Sequence, residues 1–220
     1  MKKLLKSCFV VCTLLIILFN FTGCYDAHGI EELAYAVAVG LDITDSNELE
    51  LTLQFAKNGS SSSEESVGSS QSEGSIISSV VCSSIDSGIA LINSHISKKI
   101  NLSHCQEIIF SEKIATIGIS EYLDTFANNV EIRTDCAIVI SKANAKDYLK
   151  NVKPSLETLT ARYYESTLTT NEYTGYTANI KLAEFYSAVK DDYSEAYAIL
   201  GGINSKHYTN TAKIRAAGSR

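Results

Sequence analysis

"AYAVAVGLDITDSNELELTLQFA", residues 34–56, carries the strand pair from which the rest of the chain can be laid out. Its second half alternates with period two. Leu49, Leu51, Leu53 and Phe55 fall on one side, Glu48, Glu50, Thr52 and Gln54 on the other. Such alternation belongs to a strand with two unlike faces. The first half, "AYAVAVGLDI" (34–43), is a denser apolar run, and "TDSN" between the halves supplies turn formers. The two strands are therefore expected to pair as an antiparallel hairpin. Ahead of them, "GIEELA" has room for a short helical turn.

After the hairpin, "NGSSSSEESVGSSQSEGS" (58–75) holds nine serines and one apolar residue, Val67. It cannot bury enough surface to offset its ordering entropy, which predicts a mobile spacer. Strand and helix patterns then alternate. "SIISSVVCSS" (75–84) reads as a strand. Ser84 is a candidate N-cap for a helix to about Lys98, with Ile85, Ile89, Ile92 and Ile96 at helical spacing. "HCQEIIFS" (104–111) is an apolar strand whose last residue, Ser111, caps "EKIATIG". Ile119, Leu123 and Phe126 mark one face of a helix at 119–129, and "TDCAIVIS" (134–141) is a short strand of the kind buried on both faces. "ANAKDYLKNV" (143–152) is helical. Pro154 separates it from a helix over 155–167 with Leu156, Leu159, Tyr163 and Tyr164 on one side. A further helix at 177–192 offers Ile180, Ala183, Phe185 and Val189 to the core, and "EAYAILGGI" (195–203) returns as a strand. "TAKIRAAGSR" closes the chain as an incipient strand without partner or cap. The expected fold class is mixed α/β (α+β): an antiparallel hairpin, then strands and helices in one or two small subdomains.

Working back toward the N-terminus, Lys2, Lys3 and Lys6 precede an uncharged run, "CFVVCTLLIILF" (8–19). Twelve helical residues cover about 18 Å, short of a ~30 Å hydrocarbon core, so the layout is that of a secretory signal peptide, with a transmembrane anchor as the alternative. Phe21-Thr22-Gly23-Cys24 resembles a bacterial lipobox, with a small residue before a cysteine and Phe21 where leucine is usual. Cys24 is accordingly read as the lipid attachment site and first mature residue. Its diacylglyceryl group, carrying two acyl chains such as palmitate, would tether the protein, since each buried CH₂ contributes about 0.8 kcal/mol.

Charge narrows the partners. The chain has 19 Lys and Arg against 25 Asp and Glu, and loss of the signal segment leaves 16 against 25, a net of −9. No basic footprint exists for nucleic acid. The cysteines beyond Cys24 are Cys82, Cys105 and Cys136, an odd set that leaves at least one thiol unpaired. Their apolar surroundings make them small buried hydrophobes. No C-x-x-C, H-E-x-x-H, G-x-S-x-G, P-loop or G-x-G-x-x-G is present. His104 and Cys105 are strand neighbours facing opposite ways, Glu64-Glu65 fall in the serine segment, and Glu31-Glu32 read as a solvated face. No catalytic, metal-ligating or cofactor-binding residue is therefore expected, and a binding or scaffolding role is.

The stretch "GCYDAHGIEELAYAVAVGLDITDSNELELTLQFA" resembles the mature start of the spore germination Ger(x)C lipoproteins, the C subunits of nutrient germinant receptors. The likeness rests on Cys24-Tyr25-Asp26, Glu32-Leu33, an Ala/Val strand and Gly40-Leu41-Asp42. It continues through 104–152 with Arg133 before a strand and the helix carrying Ala145, Lys146 and Leu149, and through "LAEFYSAVKDDYSEAYAILGGI". The resemblance implies a non-enzymatic receptor subunit on the outer face of the inner spore membrane, working with integral-membrane A and B subunits. It also implies an α/β fold followed by a further C-terminal domain. The resulting layout is a signal peptide (1–23), hairpin segment (24–57), serine loop (58–75), α/β subdomain (76–153), helical segment with return strand (154–204), and the start of a missing C-terminal domain (205–220). An extracytoplasmic solute-binding lipoprotein is the alternative.

Overall fold

A computed structural model describes residues 1–19, 29–56, 75–152, 160–166, 180–202 and 213–215. The chain forms two compact units, Met1–Leu33 and Ala34–Arg220. The first holds helix α1 (Lys2–Phe19) and a 3₁₀ turn at Ile30–Glu32, the helical turn expected in "GIEELA". Among the described residues no helix is long and apolar enough to cross a membrane.

The second unit is built on a single mixed sheet. The expected hairpin is present as β1 (Leu33–Ile43) and β2 (Leu49–Ala56), paired antiparallel from Ile43↔Leu49 outward. Asn47 takes the positive φ that its turn requires. β3 (Ser75–Cys82) adds antiparallel to β2. On the other side of β1 lie β5 (Glu107–Ser111), β6 (Ala137–Ser141) and β7 (Tyr197–Gly201), each parallel to its neighbour. The order is β3-β2-β1-β5-β6-β7-β8, with β8 spanning Lys213–Arg215 and the short β4 (Lys99–Asn101) also pairing β1. Hairpin and middle segment thus share one sheet. The parallel strands have the near-continuous apolar character that double-sided cover demands; every residue of β5 and β6 is buried.

Helices cover both faces. α2 (Ile85–His95), α3 (Glu112–Ile117), α4 (Ser120–Asn128) and α7 (Leu182–Lys190) lie over one face, through Ile85, Ile92, Ile114, Leu123, Phe126, Leu182 and Phe185. α5 (Ala145–Asn151) and α6, described over 160–166, cover the other through Ala145, Leu149 and Tyr164. Ser84 caps α2 in a reciprocal capping box with Ser87, and Ser111 caps α3, both as anticipated.

Several boundaries differ from expectation. α2 stops at His95 and not near Lys98, because Ile96 turns extended and Lys99–Asn101 joins the sheet. The Asn93 side chain accepts the Ile100 N–H at 2.9 Å and holds that turn. α7 begins at Leu182, since Lys181 is extended and bridges Ala137, while the expected start at 177–179 lies outside the described residues. Leu182 therefore takes the core position expected of Ala183, which is exposed. His104 and Cys105 lie in the turn before β5 and not on the strand, with His104 edge-on to Tyr35 at 4.7 Å. The closing "TAKIRAAGSR" does find a partner: β8 (Lys213–Arg215) pairs antiparallel with β7, Ala198 opposite Ile214. The serine segment up to 74, and the start of the helix expected over 155–167, lie outside the described residues.

Candidate functional site

The two blocks "GLD" and "AKxxL" are more than a hundred residues apart in sequence, and the fold makes one junction of them. Gly40, on β1, lies under α5: a β-carbon there would stand 3.0 Å from Leu149 Cδ1 and 3.1 Å from the Ala145 β-carbon. Only glycine lets the helix sit this close to the strand. Two residues on, the same face of β1 presents Asp42, which is 3 % exposed. Its Oδ1 accepts the Ala145 N–H at 2.7 Å and its Oδ2 accepts the Lys146 N–H at 2.9 Å. Asn144, the residue at the N-cap position, makes no side-chain capping bond. The cap of α5 thus comes from a strand across the domain, doing the work a local Asn or Asp usually does.

Charge is balanced locally. Burial is the main influence on Asp42 and raises its pKa, opposed by the two backbone N–H bonds and by the Ser111 hydroxyl. Lys146 turns its ammonium onto Glu50, which is paired opposite Asp42 in the hairpin register. Asp42, Glu50, Ser111 and Lys146 thereby link β1, β2, β5 and the first turn of α5.

Further along the same face lies a second polar group. The Tyr164 hydroxyl donates to Gln54 Oε1 at 2.6 Å, and Gln54 Nε2 donates to Ser75 Oγ at 3.0 Å. This fully buried chain ties α6 to β2 and β3. Glu107, at the start of β5, is buried in the same layer, and desolvation pushes its pKa up to about 8. A carboxyl in that setting carries its proton at neutral pH. Burial also drives the Tyr148 and Tyr164 hydroxyls well above their usual value, so these rings stay neutral. Gly201 on β7 leaves the space that the Tyr148 ring fills; a β-carbon there would come within 2.7 Å of it. Thr52 Oγ1, Glu107 Oε2 and Ser141 Oγ have no hydrogen-bond partner among the described residues.

Cys24, the residue read as the lipid site, lies outside the described residues, as do Tyr25 and Asp26. Arg133 sits in the turn before β6 and pairs with Asp135, both exposed, so it is separate from the junction. Cys82, Cys105 and Cys136 are buried, as expected of them. Among the described residues no group of three or more His, Cys, Asp or Glu side chains is placed to hold a metal ion. Gly40, Asp42, Ala145, Lys146 and Leu149 stand out in the sequence through the family resemblance, which gives them no role. Sequence pattern places Gln54 on a strand face and Tyr164 on a helix face but gives neither of them, nor Glu107, a part in the site. The available signals were a glutamate opening an otherwise apolar strand and a glutamine inside an alternating one.

Residues 26–201, which run from before β1 through β7, match the family described as spore germination protein N-terminal domain. The chain belongs to this family. Its relatives in Bacillus subtilis (strain 168) include spore germination protein YndF, 24% identical over 172 residues, covering 68% of this chain and 42% of that protein. Spore germination protein KC is 22% identical over 154 residues, covering 69% and 38% of the two chains. Spore germination protein A3 is 42% identical over 67 residues, covering 27% and 17%. The chain spans about two fifths of the length of YndF and KC. No solved structure matches it. The family match contains both halves of the β1–α5 junction.

Proposed function

We infer that this chain acts in spore germination as the C component of a nutrient germinant receptor, a non-enzymatic lipoprotein subunit. The observation that carries this reading is the family match over 26–201, with relatives named as spore germination proteins. A scaffolding part is in keeping with the interior, where Asp42, Gln54 and Tyr164 fasten helices α5 and α6 to the sheet. Cys24 is the proposed lipid attachment site. It would place the domain on the outer face of the inner spore membrane, beside integral-membrane A and B subunits. Acyl chains, and no basic surface, would then hold it there, in keeping with the net acidic charge.

The test is fractionation of spore membranes followed by affinity recovery of the tagged full-length protein from detergent extract. The wild-type chain is expected in the membrane fraction together with polytopic A and B subunits. The Cys24→Ala chain is expected in the aqueous fraction, with a slowed response of the spores to nutrient. A Cys24→Ala chain that stays membrane-bound would overturn the anchor, and recovery without polytopic partners would overturn the receptor reading.

A further inference from the structure

Three cysteines lie in the sheet unit, and the fold separates them unequally. Cys82 ends β3, while Cys105 and Cys136 stand at the entrances of the adjacent parallel strands β5 and β6. Three strand spacings lie between β3 and β5, or roughly 14 Å at about 4.8 Å each. Cys82 is therefore out of reach of the other two.

Cys105 and Cys136 are held together by the backbone. Cys105 N–H closes one turn on Leu102 O at 3.0 Å, and Cys136 N–H closes the other on Arg133 O at 3.3 Å. Ala137 N–H then donates to Gln106 O at 2.8 Å, locking the two turns side by side. Glu107 and Ala137 are register partners, which leaves the two cysteines one residue step out of level. Each lies just outside the paired part of its strand, and neighbouring strands about 4.8 Å apart bring such positions near the α-carbon separation of a disulfide, roughly 4.4–6.8 Å. Both side chains enter the same apolar layer. The Cys136 thiol donates to Cys105 O at 2.8 Å, and the two thiols also interact directly.

We propose that Cys105 and Cys136 form a structural disulfide joining the entrances of β5 and β6, with Cys82 left as the unpaired thiol of the domain. The oxidant is a small disulfide such as oxidised glutathione. One cysteine thiolate attacks a glutathione sulfur and one glutathione leaves as thiol. The second cysteine thiolate attacks the mixed disulfide and the second glutathione leaves. The two cysteines lose two electrons and two protons, and the oxidised glutathione takes up both. Each cysteine is 1 % exposed, so the bond forms as the chain folds and is shielded afterwards. An oxidising location outside the cytoplasm would preserve it, but the bond follows from the strand geometry and not from the receptor reading.

Trypsin puts each of the three cysteines in a different peptide: Cys105 in 100–113, Cys136 in 134–142 and Cys82 in 58–98. The full chain, unfolded and reduced, is refolded in a glutathione redox buffer, alkylated in denaturant, digested and weighed. The expected product is peptide 100–113 linked to 134–142, with Cys82 alkylated. Cys82→Ala should leave that link intact, and Cys136→Ala should abolish it without transferring the partner to Cys82. The oxidised chain should show a folding equilibrium constant on the order of a hundredfold larger than the reduced chain, read from urea midpoints. Alkylation of both Cys105 and Cys136 after refolding, or a major link through Cys82, would overturn the proposal. These readouts do not depend on receptor partners, so the two readings can fail separately.

Discussion

The two faces of the sheet are both buried, yet they are made of different material. Over one face, Leu41, Leu51, Leu53, Ile108, Phe110, Ile138 and Ile140 meet four helices with hardly a polar atom between them. Over the other, Asp42, Thr52, Gln54, Glu107, Ser111 and Ser141 lie beneath α5 and α6. The apolar face obtains its stability from area, which is nondirectional. The polar face holds its helices through directional bonds, from Asp42 to α5 and from Gln54 to α6, so it dictates where those helices may sit. Gly40, Asp42, Ala145 and Leu149, which carry the resemblance drawn from the sequence, fall on the polar face. Strength comes from one side of the sheet and placement from the other.

Substitutions can break that contrast, and the largest effect belongs to the apolar face. Phe110 is fully buried and meets Phe126 edge-to-face at 6.1 Å. Phe110→Ala should cost about 3–5 kcal/mol, read as a lowered urea midpoint. A loss below about 1 kcal/mol would mean the layer can collapse around the cavity.

The next effect is specific to the polar face and depends on pH. Unfolded, Glu107 ionises near its ordinary value of 4.5, and folded it keeps its proton to about 8. Within that window the folded state binds more protons, so stability falls as pH rises, by at most about 1.4 kcal/mol per unit, and levels off above it. Glu107→Gln keeps the size and removes the titration. Its stability profile should flatten between those two values, and an unchanged slope would place the pH dependence elsewhere.

The smallest effect tests placement directly. Asp42→Ala leaves the Ala145 and Lys146 N–H groups without their acceptors and should cost about 1–3 kcal/mol. Amide exchange should quicken across 145–151 while β5 and β6 keep their protection. Asp42→Asn retains an acceptor oxygen and should recover part of the loss. Uniform loss of protection across the sheet would instead make Asp42 a general stability residue.

Much of this was legible in local pattern. Ser84 and Ser111 were readable as caps because capping is settled within three or four residues of sequence. β6 was readable because four consecutive small or branched apolar residues, Ala137 to Ile140, suit a strand covered on both sides. Gln54 and Thr52 show where such reading ends. Their alternation with Leu51, Leu53 and Phe55 reports two unlike faces, and it looks the same whether the polar face meets water or a helix. Both residues are fully buried, because α5 and α6 close over them. α7 shows the other limit: local periodicity allowed a start before Leu182, but pairing of Lys181 with Ala137 drew Lys181 into extended backbone.

The sequence by itself determined the mixed α/β class, the hairpin, the order of strands and helices, and the residues of the family likeness, since each depends on near neighbours or on local residue pattern. Only the tertiary structure decided that hairpin and middle segment share one sheet and that Asp42 caps a helix 103 residues away. It alone brought Cys105 and Cys136 together while leaving Cys82 apart. Those outcomes depend on strand order and register, which bring distant residues into contact through backbone pairing that residue pattern alone does not encode.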